Sequence, residues 1–172
     1  MAADAMALAM VVAGTGTGAA IDLRVRRVPN ALTMTLAMAG VALAATGLGR
    51  LGVSAAIAGW FAGLALMLPG YLLGATGAGD VKLLAAVGAL LGPEGVFWAF
   101  LYTTLAGGAI ALLIAILRGR LQTTLDETMW LVFSRGANKP AIEDPTANNR
   151  FAYAPAIAIG AILAAAIGGI HL

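Results

Sequence analysis

Long apolar runs, interrupted by single charges or short charged clusters, make up most of this chain. The charge-free intervals are 5–21, 28–49, 51–79, 83–93, 95–117 and 151–172. A bilayer core about 30 Å thick needs roughly 20 mostly apolar residues in a spanning helix. Five intervals reach or approach that length, whereas 83–93, with 11 residues, is short and compatible with a re-entrant segment. Glycines four apart recur within the runs, at Gly14/Gly18, Gly59/Gly63, Gly70/Gly74 and Gly88/Gly92. Such spacing lets helices approach closely where lipid offers no hydrophobic drive between them. A tightly packed bundle rich in alanine and glycine accounts for most of these pairs. The stretch 118–150 has the character of an extramembrane loop. Leu121, Leu125, Met129, Trp130, Val132 and Phe133 suggest an interfacial amphipathic helix there, followed by a turn-rich segment with Pro140 and Pro145.

Composition agrees with this pattern. Of the 172 residues, 61% are hydrophobic and 10% charged, against roughly 45–50% and 25% in soluble domains. These values exclude a soluble enzyme and a disordered chain. With no cysteine, thiolate zinc sites, iron–sulfur clusters, disulfides and a cysteine nucleophile are excluded. The one histidine, His171, lies next to the last residue, so a Ser-His-Asp triad has no material. The excess of basic over acidic residues points to membrane orientation, not to nucleic-acid binding.

Arg24, Arg26 and Arg27 follow the first run, and Arg118, Arg120, Arg135, Lys139 and Arg150 flank or occupy 118–150. Placing both clusters on the cytoplasmic side requires an even number of spans between them. The short run 83–93 must therefore be a span, which gives six. Nine of the ten Lys and Arg residues then face the cytoplasm, with Arg50 outside. The expected fold is an all-α integral membrane protein of six transmembrane helices. It forms one domain over 1–172, with a cytoplasmic loop at about 118–150 and both termini outside the cytoplasm. The N-terminal region carries only Asp4, which does not suit a basic signal-peptide start, so 5–21 is read as a retained first helix.

The acidic residues carry the functional signal, because carboxylates at membrane depth are costly. Asp4 and Glu94 fall at the outer boundary, and Asp126, Glu127, Glu143 and Asp144 fall in the polar loop. Asp22 and Asp80 remain, in AAIDLRVRRVPN and LLGATGAGDVKLL. Two spans separate them, so both lie at the cytoplasmic face on different helices. Two neighbouring carboxylates titrate as a pair, one accepting a proton from water while the other polarises a carbonyl. Peptide hydrolysis by that route uses no metal, thiol or histidine, and no cofactor is expected. Gly77 and Gly79 would free the backbone beside Asp80, and Lys82 adds a positive charge. Simpler roles compete: an N-cap for Asp80 and an i,i+4 pair with Arg26 for Asp22.

The segment GAGDVKLLAAVGALLGP resembles the GxGD-x-K motif of the type IV prepilin peptidases, the A24 group of GxGD membrane aspartic proteases. Asp22 with Arg27-Val28-Pro29-Asn30 is similar to that family's first aspartate and its R-(x/I)-P-N stretch, and RFAYAPAIAIGAIL to its last helix. The resemblance implies an aspartic endopeptidase that cleaves prepilin leader peptides after a glycine at the cytoplasmic face of the inner membrane. Asp22 and Asp80 would be catalytic, Gly77, Gly79 and Lys82 would support them, and Arg27 and Asn30 are weak candidates for substrate binding. The seven-residue loop Arg24–Asn30 and the lack of cysteine depart from the larger bifunctional members, so zinc binding and N-methylation are not expected. The short form resembles the peptidases of tight-adherence (Flp-type) pilus assembly and secretion systems. The expected partners are a prepilin and the lipid bilayer, with no nucleic acid. A small proton-coupled transporter using the same carboxylates as a relay is the alternative.

Overall fold

A computed structural model describes residues 2–117 and 152–171. Its elements are α1 (Ala2–Val25), α2 (Asn30–Ala45), α3 (Val53–Leu72), α4 (Ala78–Leu117) and α5 (Ala154–His171). Ala5–Val25, Val53–Leu72 and Ala78–Leu117 are long and apolar enough to cross a membrane, while Asn30–Ala45 and Ala154–Ile167 are shorter apolar helices. The amphipathic helix and turn-rich segment expected within 118–150 lie outside the described residues.

The described residues form five helices where six spans were expected. The difference lies in α4, whose 40 residues join the expected fourth and fifth runs. Gly92 interrupts it with φ 75° and ψ −178°, immediately before Pro93. Proline lacks the N–H for the helical ladder and drives the preceding residue out of the α region. The conformation at Gly92 belongs to a region open almost only to glycine. At 1.5 Å per residue, the first arm of α4 is about 20 Å long and the second about 37 Å.

That first arm is the centre of the bundle, and α1, α2, α3 and α5 all pack on α4. Val81, Leu83, Leu84, Ala85, Ala86, Val87, Ala89 and Leu90 are all buried. A helix enclosed on every side is apolar all round, so its run carries no amphipathic stripe. Large apolar side chains of α3 and of the second arm of α4, among them Phe61, Leu105 and Leu112, are exposed on the outside of the bundle.

Glycine decides how closely the helices approach. The α3–α4 contact brings Gly59 against Gly88 backbone to backbone, and a Cβ on Gly63 would lie 2.7 Å from Ala85 Cα and Leu84 O. Gly40 of α2 meets Ala89 at 2.8 Å in the same sense. The pair Gly70/Gly74 serves another purpose. Gly74 adopts φ 78° after the end of α3, and Gly70 O accepts the amides of Ala75 and Thr76 at 2.8 and 3.3 Å. These two glycines build the turn that leads into α4.

Candidate active site

Asp22 lies in the last turn of α1, which ends where Arg26 takes φ 56° and donates its N–H to Asp22 O at 2.8 Å. A left-handed residue after the last turn is a common helix stop. The chain then runs through Val28, which is buried, into α2 at Asn30. Asp80 lies in the first turn of α4. Gly77 O accepts the Asp80 and Val81 amides at 3.1 and 3.3 Å, which makes Gly77 the N-cap and Asp80 the third helical residue. The Asp80 carboxylate reaches back, with Oδ2 accepting the Gly77 N–H at 3.1 Å. This is the carboxylate half of a capping box. Asp80 itself is therefore not the N-cap.

Both aspartates are buried, Asp22 at 6% and Asp80 at 8% exposure, and their carboxylates lie within electrostatic reach of one another. Asp22 Oδ2 accepts the N–H of Ala154, the first residue of α5, at 3.3 Å. Thus α1, α4 and α5 meet at one end of the bundle, and each carboxylate is held by a main-chain amide. Among the described residues, no group of three or more His, Cys, Asp or Glu side chains comes together as a metal cluster.

The glycines of GAGD act through contact. Neither Gly77 nor Gly79 has a positive φ. A Cβ on Gly77 would lie 3.1 Å from Asp80 Oδ2, and one on Gly79 would lie 3.1 Å from Val28 Cβ. Gly77 therefore leaves room for the carboxylate, and Gly79 lets the α1–α2 connection close over the start of α4. Lys82 is exposed and donates from Nζ to Asn30 Oδ1 at 2.9 Å. That bond ties the start of α2 to the start of α4. Arg27 is exposed on the same connection.

A cavity of about 660 Å³ opens at the other end of the bundle, beside the Gly92 break, with Leu43, Arg50, Leu90, Glu94 and Trp98 in its wall. Neither aspartate lines it. The titratable groups in its lining, Arg50, Glu94 and Tyr102, include no pair of carboxylates.

Sequence reasoning missed Ala154, whose amide meets the Asp22 carboxylate. An amide donor leaves no trace in residue type, so the likeness of RFAYAPAIAIGAIL to the family's last helix gave no sign of this contact.

The type IV leader peptidase family model matches residues 7–112. The chain belongs to the type IV leader peptidase family. The match includes both aspartates, the GAGD segment and Lys82, and ends before α5. No curated protein and no solved structure matches the chain. Membership of this family, together with the long apolar helices, makes the chain a membrane protease and favours that reading over a proton-coupled carrier.

Proposed function

We propose that the chain is an aspartic endopeptidase that removes the leader peptide of a prepilin of the Flp type at the cytoplasmic face of the inner membrane. The observation that carries this reading is the meeting of buried Asp22 and Asp80, from separate helices, at one end of the bundle. One carboxylate takes a proton from water as the water oxygen attacks the scissile carbonyl carbon. The other, protonated, gives its proton to the carbonyl oxygen. The tetrahedral intermediate then collapses as the amide nitrogen takes a proton and leaves as the amine. Every proton stays within the dyad, the water and the peptide, so no cofactor enters. Gly77, Gly79 and Lys82 support the dyad, and Arg27 and Asn30 lie where an arriving leader peptide would pass.

The proposed topology counts the two arms of α4 as separate spans, with Gly92 and Pro93 at the outer turn. Both termini then lie outside the cytoplasm, and the 118–150 loop lies inside it. N-methylation of the new terminus has no place in this reading.

Purified protein incubated with a Flp-type prepilin should release the leader peptide. Asp22→Asn and Asp80→Asn should each lower the rate by a factor of about 10²–10⁴, the range lost with a catalytic acid or base. Cleavage by either variant at the wild-type rate overturns the dyad mechanism.

A further inference from the structure

We infer that Tyr153 is a positioning residue for the carboxylate pair, acting through the first turn of α5. The inference rests on the dyad reading above.

Tyr153 immediately precedes α5, and its carbonyl accepts the Ile157 amide at 3.2 Å, the first bond of that helix. It is therefore the N-cap residue. Pro155 has no N–H, so Ala154 supplies the one main-chain donor of the first two helical positions of α5. That amide is the one bonded to Asp22, 132 positions away in sequence. Ala154 is fully buried, so its N–H can be reached only from within the bundle. The Tyr153–Ala154 peptide carries this N–H, and any tilt of Tyr153 moves the donor relative to Asp22.

Two contacts keep Tyr153 in place, both with the second arm of α4. Its ring lies across Gly107, where a Cβ would come 2.9 Å from Cε2 and 3.2 Å from Cζ and the phenol oxygen. Its hydroxyl hydrogen-bonds with the Thr104 side chain. Thr104 and Gly107 are three apart and share one face of the helix. Tyr153 thereby links three elements at the site: α5 by its main chain, α4 by its ring and hydroxyl, and α1 through the neighbouring amide. The family match ends at residue 112, before any of the α5 partners.

The test compares leader cleavage by wild type, Tyr153→Phe, Thr104→Val, the double variant and Thr104→Ser. Asp22→Asn and Asp80→Asn serve as controls, and each protein is assayed for kcat, KM and melting temperature in detergent. The expected result is a roughly tenfold fall in kcat for Tyr153→Phe and for Thr104→Val, with KM little changed. The double variant should fall no further than either single one, and Thr104→Ser should recover kcat toward wild type. Wild-type kcat in both single variants, with inactive aspartate controls, overturns the inference and leaves the dyad reading standing. A lower melting temperature with unchanged kcat per folded molecule also overturns it, because Tyr153 would then be only structural. Active aspartate controls overturn the dyad reading itself, and the inference with it.

Discussion

The carboxylate of Asp22, at the end of the first helix, accepts its hydrogen bond from the main chain of Ala154, at the start of the last helix. The first and last helices of the described residues are thereby joined at the candidate site. Anything that moves the start of α5 also moves one of the two carboxylates, although α5 itself carries no acidic side chain in its first turn.

Gly79 should be intolerant of branched side chains. A Cβ there meets Val28 Cβ at 3.1 Å and Val28 O at 3.4 Å, both on a connection with little room to move. Gly79→Val should push the Arg27–Asn30 connection off the start of α4 and abolish leader cleavage, while Gly79→Ala should retain part of it. Cleavage rates of the two purified variants check this. Equal rates would mean that the close approach has no bearing on activity.

At Gly77, the nearest atom to an added methyl is Asp80 Oδ2, at 3.1 Å. Gly77→Ala should therefore displace the carboxylate without touching the core. Misplacement of a catalytic group by about 1 Å can cost on the order of 10²-fold in rate. The expected outcome is a fall in kcat of between about tenfold and a hundredfold, with a melting temperature within a few degrees of wild type.

Three glycines in the helices separate packing from propensity. Gly59 and Gly88 touch backbone to backbone, so Gly59→Leu or Gly88→Val should cost at least the ~1–3 kcal/mol typical of overpacking. Gly16, in α1, has nothing within 4 Å of an added Cβ. Gly16→Ala should stabilise by about 0.5–1 kcal/mol through helix propensity. Thermal unfolding in detergent should therefore shift in opposite directions for the two kinds of substitution.

Gly92 combines φ 75° with a neighbouring Leu51 Cδ2 that would lie 2.9 Å from a Cβ. Gly92→Ala should cost about 1–3 kcal/mol from the backbone alone. The damage falls at the end of the bundle away from the carboxylates. The variant should melt earlier but keep its kcat per folded molecule at low temperature.

The bond from Lys82 to Asn30 is exposed and should contribute no more than about 1 kcal/mol to stability. If it holds the two helix starts in register at the site, Lys82→Met and Asn30→Ala should lower cleavage to a similar degree. The double variant should then be no worse than either. A fully additive double variant would show that the two residues act apart.

The all-helical fold was legible in the sequence, and Asp22 and Asp80 stood out in it, because each reading depends on scarcity. A charge-free run of 20 residues admits few structures, and a carboxylate in such a chain stands out as costly. The Gly88/Gly92 spacing was legible as a signal and misleading as to role. Gly88 packs on Gly59, whereas Gly92 breaks α4, and only the local φ and ψ tell the two apart. The run 83–93 looked too short because length suggests a marginal span. It is the most enclosed segment of the bundle, and its lipid-like composition is that of a core.

Residue type and order determined that this chain lies in a membrane, that two aspartates need a reason to be there, and that GAGD accompanies one of them. Tertiary structure decided which groups hold those aspartates: the Gly77 amide for Asp80, the Ala154 amide for Asp22, and Val28 against Gly79 beside them. The physical reason is that core and lipid are both apolar, so hydropathy along the chain carries no record of which helix faces face each other. Main-chain donors are the same at every position except proline. Their selection by a carboxylate is therefore a matter of packing alone.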